Sequence, residues 1–371
     1  MPSPEHRHVV GWDIGGAHVK ACLLRDGGVV DVAQWACPLW QGLAHLDRVL
    51  QLAHARWPQL AEPSQGTRAL HGVTMTGEMT DLFEHREDGV QRIAATLARA
   101  LAPETPEALR FFAGETRWCD TQDVGAHWAR IASANWRATA SHAAQCLLEG
   151  VLVDIGSTTT DLIAFRAGRV LGHSCSDADR LASGELVYHG VVRTPLCALG
   201  PRVAWRGANL NVMNEFFATT ADVYRLTGEL DPAHDLHPAA DGAAKDLPAT
   251  QRRLARMIGL DAREAGPDDW LAFARTWRAR QVDELAGQLR RVADTHRLSA
   301  SAVVVSAGCG DFLVADVLER AGLPHARLLR YGDDIARIAV DAPSGRDTLA
   351  DWAQVCAPSV AVAALLDRGL R

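Results

Sequence analysis

A chain of 371 residues that is 48% hydrophobic and 22% charged, with a formal net charge of −7, has the make-up of a two-domain globular protein with a real core. Its arginines are spread along an acidic chain, so no basic footprint for nucleic acid is present. No apolar run nears the ~18 residues that span a membrane, and "MPSPEHRHVVGW" lacks the charged-then-apolar order of an export signal. A cytoplasmic protein without membrane partners is the expectation.

The first predicted element is a hairpin over about residues 7–35, in which apolar runs flank an Asp13-Ile14-Gly15-Gly16 turn. "LAHLDRVLQLAHARW" follows with helical spacing. "RALHGVTMTGEMTDLF" reads as a strand ending in a polar Thr-Gly-Glu turn. A helix ("GVQRIAATLARALA") and a short strand ("LRFFAG") come next. "VGAHWARIASANWRATASHAAQCL" reads as one Ala-rich helix leading into a second hairpin, "VLVDIGSTTTDLIAF". Strands alternating with helices argue for an α/β fold. Residues 180–300 are more polar. They include a Pro/Asp/Gly-rich exposed loop ("LTGELDPAHDLHPAADGAAKDLP") and the amphipathic helices "QRRLARMIGL" and "DDWLAFARTWRARQVDELAGQLRRVADTH". "SAVVVSAGCGDFLVADVLERAG" gives a strand, a Gly308-Cys309-Gly310 turn and a helix. "TLADWAQVCAPSVAVAALLDRGL" reads as one closing helix.

The two hairpins match without a gap. Asp13 falls on Asp154, Gly15 on Gly156, Gly16 on Ser157, Lys20 on Asp161, Arg25 on Arg166 and Gly27 on Gly168. A self-match at one fixed offset, with matching flanks, indicates internal duplication around a shared kind of ligand.

Such turns suit phosphate. Glycine lets the backbone approach a ligand, exposed amides make an anion site, and hydroxyls add donors. Gly15 and Gly16, and Gly156 through Ser157, Thr158, Thr159 and Thr160, are therefore the candidate phosphate-binding residues, with Lys20 as a point charge. An aspartate beside phosphate calls for a cation, so Asp13 and Asp154 are the candidate Mg²⁺ ligands. Gly308 and Gly310 could accept an anion or lie against a flat ring. No P-loop signature is present. Glu78, Asp161 and Asp222 are candidate bases, set against a loop acid for Glu78 and a solvated helix acid for Asp222. Trp136 reads as core before it reads as a stacking ring. His18, His71 and His189 lack a ligand-spaced partner. Cys22, Cys37, Cys119, Cys146, Cys175, Cys197, Cys309 and Cys356 contain no C-x-x-C pair and read as reduced, mostly buried thiols.

These parts resemble the actin-like ATPase superfamily, a duplicated ribonuclease H-like α/β fold. Within it, "GWDIGGAHVKACL", "ASANWRATA", "VLVDIGSTTTDL", "GELVYHGVVRTPLCAL" and "NEFFATTADVYRLTGEL" resemble a hydantoinase/oxoprolinase-related family linked to tetrahydromethanopterin C1 transfer. The resemblance implies two domains around a cleft: residues 1–145 with a returning helix at about 348–371, and residues 146–347 with a helical insertion at about 200–295. It implies a transferase of methanofuran or methylofuran biosynthesis. That enzyme joins an aminomethyl-furan-methyl diphosphate to the phenol of γ-glutamyltyramine, or a tyrosine-based equivalent, and releases pyrophosphate. Asp13, Glu78, Asp154 and Asp161 then become the candidate catalytic acids, Mg²⁺ the cofactor and ATP a second possible ligand. A small-molecule kinase, an oxoprolinase-like ATP-dependent amide hydrolase, or a non-catalytic nucleotide sensor are the alternatives these residues allow.

Overall fold

The computed structural model describes residues 7–58, 69–102, 106–114, 117–172 and 176–369. Two units are distinguished along the chain: residues 1–152, 163–177 and 329–371 form one, and residues 153–162 and 178–328 the other. Cys175 lies outside the described residues.

In the first unit, β1 (His8–Ile14), β2 (His18–Arg25) and β3 (Gly28–Ala36) form an antiparallel meander. Asp26 and Gly27 both hold positive φ, at 51° and 79°. That is the turn geometry whose twist matches paired strands, and Asp-Gly is a preferred sequence for it. After α1 (Ala44–Arg56), β1 pairs in parallel with β4 (Leu70–Met75). Helix α2 (Arg86–Leu101) connects β4 to β5 (Leu109–Phe112), and β6 (Trp118–Cys119) closes the edge in the order β3-β2-β1-β4-β5-β6. The core is built from alternate residues of the sheet, Val10, Trp12 and Ile14 among them. They pack with Leu46, Val49 and Leu50 of α1 and Val90, Ile93 and Leu97 of α2, at helical spacing.

The single Ala-rich helix expected over this region is two helices, α3 (Val124–Ile131) and α4 (Asn135–Cys146). The break lies at Ser133, whose φ is 50°. One such residue ends a right-handed helix, and periodicity gives no sign of it because both pieces keep an apolar face.

The second sheet has the order β10-β8-β7-β13-β14, from β7 (Glu149–Ile155), β8 (Thr160–Arg166), β10 (Leu186–Val187), β13 (Val303–Ala307) and β14 (Leu328–Arg330), with β9 (Arg169–Val170) also pairing with β8. The β8–β9 turn repeats the first hairpin's geometry, with Ala167 at φ 50° and Gly168 at φ 80°. Helix α5 (Asp177–Ser183) precedes β10. The helical insertion holds a ribbon of β11 (Arg202–Trp205) and β12 (Ala208–Asn211), then α6 (Thr220–Thr227), α7 (Leu247–Arg256) and α8 (Pro267–Thr295). Trp270, Phe273, Trp277, Gln281, Leu285 and Leu289 form the buried stripe of α8, against which α6, α7 and α9 (Val314–Arg320) pack. The Pro/Asp/Gly-rich loop is mostly exposed but tethered: Arg225 grips the Asp235 carboxylate at 2.6 and 2.8 Å.

The closing segment is also two helices, α10 (Arg346–Val355) and α11 (Ala357–Gly369), bent by 100°. Pro358 has no N–H to continue the first helix and its ring clashes with the preceding turn. Helix α11 packs on β1, β2 and β4 of its own unit. It sits close because Gly11 and Gly72, register partners on β1 and β4, present no side chain. A Cβ on Gly11 would strike the Ser359 carbonyl, and one on Gly72 would come within 3.1 Å of the Val362 carbonyl. No single helix among the described residues is long and apolar enough to cross a membrane. Helices α10 and α11 reach that composition only when joined across their bend.

Candidate functional site

The second hairpin turn, residues 156–159, is held by its own backbone and by a strap formed by residues 189–194. The Gly156 N–H donates to the Thr159 carbonyl at 2.8 Å, closing the turn. From the strap, the Val191 N–H donates to the Gly156 carbonyl at 3.0 Å. The Val192 and Arg193 N–H groups share the Ser157 carbonyl at 3.0 and 2.8 Å. Carbonyls thus face the strap and are satisfied there. The strap is itself fixed at Gly190. Its N–H donates to Thr194 Oγ1 at 2.8 Å, and its carbonyl accepts from Thr220 Oγ1 at 2.8 Å and Gln281 Nε2 at 3.1 Å. Any Cβ on Gly190 would overlap the Ser157–Thr158 peptide. A buried Tyr224–Gln281 bond of 2.8 Å completes the support.

The hydroxyls divide by role. Thr160 is fully buried and donates to the His189 carbonyl at 2.7 Å, so this hydroxyl is used inside the protein and not offered to a ligand. Ser157, Thr158 and Thr159 are half-buried. The cradle read from sequence as Gly156–Thr160 therefore shortens by one residue, because strand β8 has begun.

Asp154 is buried at the end of β7. The Gly308-Cys309-Gly310 turn packs directly on that end: the Gly310 N–H donates to the Ile155 carbonyl at 2.8 Å. A Cβ on Gly308, whose φ is 86°, would meet the Ile155 carbonyl and stand 2.6 Å from Asp154 Oδ1. One on Gly310 would stand 2.5 Å from Ile155 Cγ2. Strand contact alone therefore accounts for both glycines, without a flat ring to lie on them. Asp161 is buried and ion-paired with the buried Arg180. Asp222 is not the solvated helix acid of the sequence reading. It is fully buried at the start of α6, receives the Thr219 N–H at 3.0 Å, and pairs with Arg253 and Arg225, each at 2.8 Å. These partners make it a helix cap and ion-pair anchor.

In the first unit, Asp13 is buried in β1 opposite Lys20 of β2. Lys20 Nζ donates to the Val355 carbonyl at 2.9 Å, at the C-terminal end of α10, where a cation meets the negative end of the helix dipole. Its charge is thus directed at a helix end, where the sequence reading had it reach a phosphate. The Thr76-Gly77-Glu78 turn packs on the Asp13–Gly16 hairpin: the Thr76 N–H donates to the Ile14 carbonyl at 2.9 Å. Glu78 is 1% exposed. Ser133, at the break between α3 and α4, donates to Glu78 Oε1 at 2.9 Å, and Arg86 Nη2 reaches the same hydroxyl at 3.4 Å. Glu78 Oε2 has no hydrogen-bond partner among the described residues. Burial pushes the Glu78 carboxyl above its ordinary range, partly offset by its hydrogen bonds and by Arg86. A buried carboxyl with one oxygen uncommitted and a raised pKa takes up a proton more readily than an ordinary carboxyl, which suits a general base.

Sequence reasoning missed Ser133, Arg86 and Arg180, which hold or flank these acids, and Arg193, which donates to Thr158 Oγ1. Only the "SANW" and "VVRTP" stretches hinted at them, without assigning a role. Trp136 is 3% exposed, with the Arg137 guanidinium over its ring, and belongs to the core. His71 is buried and accepts from Trp12 Nε1 at 3.2 Å; burial pushes its pKa down to about 3. His18 and His189 are half-buried. No group of three His, Cys, Asp or Glu residues poised for a metal occurs among the described residues. Asp13 and Asp154, each within its own unit, carry a hard carboxylate oxygen, a donor type that suits Mg²⁺. Of the described cysteines, Cys22, Cys37, Cys119 and Cys356 are buried, Cys197 and Cys309 half-buried and Cys146 exposed, all as free thiols.

The hydantoinase/oxoprolinase family model matches residues 69–335. The chain is 26% identical over 363 residues to the (4-{4-[2-(gamma-L-glutamylamino)ethyl]phenoxymethyl}furan-2-yl)methanamine synthase of Methanocaldococcus jannaschii, a match covering 98% of each chain. It is also 26% identical over 191 residues to the synthase of the same name from Methanococcus vannielii, covering 50% of this chain and 84% of the other. Among solved structures, nucleotide-free acetone carboxylase superposes with a TM-score of 0.51 at 13% identity, over 86% of this chain and 68% of that one. The fold is the actin-like ATPase α/β fold.

Proposed function

The chain belongs to the hydantoinase/oxoprolinase family, and we propose that it is a synthase of methanofuran-type cofactor biosynthesis. In this reading it alkylates a phenol with an aminomethyl-furan-methyl diphosphate and releases pyrophosphate. The observation that carries the reading is the end-to-end match, 98% of both chains, to a synthase whose product holds that furan–phenol ether.

The reaction asks for three things. The C–O bond to diphosphate breaks and its electron pair leaves with the bridging oxygen. The phenol oxygen closes a new C–O bond on the furan methylene, and the phenol proton goes to a base. Donors on the leaving diphosphate stabilise the charge that develops there. The Ser157, Thr158 and Thr159 hydroxyls suit that task, since the strap has already satisfied the neighbouring carbonyls. A Mg²⁺ bound through Asp13 or Asp154 would neutralise diphosphate charge. An ordinary phenol ionises near ~10, so a base is needed at neutral pH, and Glu78 has the state best suited to it. Asp161, neutralised by Arg180, serves better as a positioning acid. The phenolic partner is γ-glutamyltyramine or a tyrosine-based equivalent.

The test is to incubate the protein with the furan diphosphate and each phenol in turn and to follow the aryl ether by mass spectrometry. Ether formed from one phenol supports the reading and names the partner; no ether from either phenol removes it.

A further inference from the structure

We propose that Arg193 binds the diphosphate held at the 156–159 turn, acting as the fixed cation of that anion site. This rests on the reading that the turn takes a diphosphate. Three observations lead to it.

Arg193 is mounted on the turn. Its N–H and that of Val192 both donate to the Ser157 carbonyl, at 2.8 and 3.0 Å. The strap that carries it has no slack, because both polar groups of the Gly190 peptide are bonded to Thr194, Thr220 and Gln281. Its guanidinium is also aimed at the turn, with Nη1 donating to Thr158 Oγ1 at 3.3 Å. Finally, the charge is uncompensated. No carboxylate of the described residues lies within ion-pair distance of Arg193. Other arginines of the same unit are paired: Arg180 with Asp161, Arg225 with Asp222 and Asp235, Arg253 with Asp222 and Asp241.

A half-buried guanidinium has five N–H donors in a rigid plane. One is spent on a threonine hydroxyl that also borders the turn, and the remaining edge matches two oxygens of one phosphate. The ligand class is therefore a diphosphate ester. Two sources share that chemistry, a furan-methyl diphosphate and a nucleoside diphosphate.

Calorimetric titration of the full chain with pyrophosphate and with ADP tests the proposal, using wild type, Arg193→Lys and Arg193→Gln. Loss of charge-assisted bonds should weaken pyrophosphate binding by about tenfold to a hundredfold in Arg193→Gln. Arg193→Lys, which keeps the charge but not the fork, should fall between. Equal pyrophosphate affinity in all three proteins would overturn the role of Arg193 while leaving the diphosphate reading intact. Tight ADP binding with no measurable pyrophosphate binding, still lost in Arg193→Gln, would keep Arg193 as an anion site and overturn the furan diphosphate. No binding of either ligand by wild type would overturn both. If Arg193→Gln does not fold, the comparison of wild type with Arg193→Lys decides alone.

Discussion

Glu78 shows how burial sets chemistry at a single residue. Its carboxyl is raised above the ordinary value of 4.5, first by desolvation, against the pull of Ser133 and Arg86. A folded pKa above the unfolded one means that the folded state holds the proton more tightly. The resulting stabilisation is full below pH 4.5 and is lost as pH rises through the folded value. Glu78→Gln keeps an acceptor for the Ser133 hydroxyl and removes that cost. It should therefore raise the thermal midpoint at pH values above the folded pKa of Glu78, with the gain shrinking below pH 4.5, while abolishing turnover. In the wild type the acid limb of the rate profile should lie above the ordinary carboxylate range. A midpoint lowered across the whole pH range, or retained turnover, would remove Glu78 from the chemistry. None of this was legible in sequence beyond the acid itself. A Thr-Gly-Glu turn gives no sign that Ser133, far along the chain, will reach it.

At the scale of elements, the boundary between turn and strand decides which hydroxyls matter. Thr160 belongs to β8 and is spent on the His189 carbonyl, whereas Thr158 and Thr159 belong to the turn. Thr160→Val should leave that carbonyl unsatisfied and cost about 1–3 kcal/mol of stability, read by denaturant titration, with little change in pyrophosphate affinity. Thr158→Val and Thr159→Val should do the reverse, weakening pyrophosphate by about tenfold to a hundredfold with stability kept. If all three variants lose stability alike and bind alike, the hydroxyl run is a structural turn only. The hairpins were readable because they rest on local signals: alternating apolar residues, Asp-Ile-Gly, and turn glycines at matching positions. The helix breaks at Ser133 and Cys356 were not. Pro358 was a visible warning at the second, but at the first a single left-handed residue interrupts an Ala-rich pattern whose period hardly changes.

At the scale of the molecule, duplication is visible in the sheets. The order β3-β2-β1-β4-β5 in one is echoed by β8-β7-β13-β14 in the other, with β9 in place of β3 but cut to two residues and β10 beside β8. The fold follows from that repeat, and so it could be read from the gapless self-match. The long-range pairs Arg180–Asp161 and Arg193–Thr158 could not, since nothing local in the sequence specifies them.

The central claim is a condensation that releases pyrophosphate from the furan substrate itself. It is tested most directly by supplying the furan diphosphate and its phenol with Mg²⁺, without ATP, and counting products. The account predicts pyrophosphate and aryl ether in equal amounts, both abolished by a chelator. Turnover only when ATP is added, with ADP accumulating in place of pyrophosphate, would contradict it.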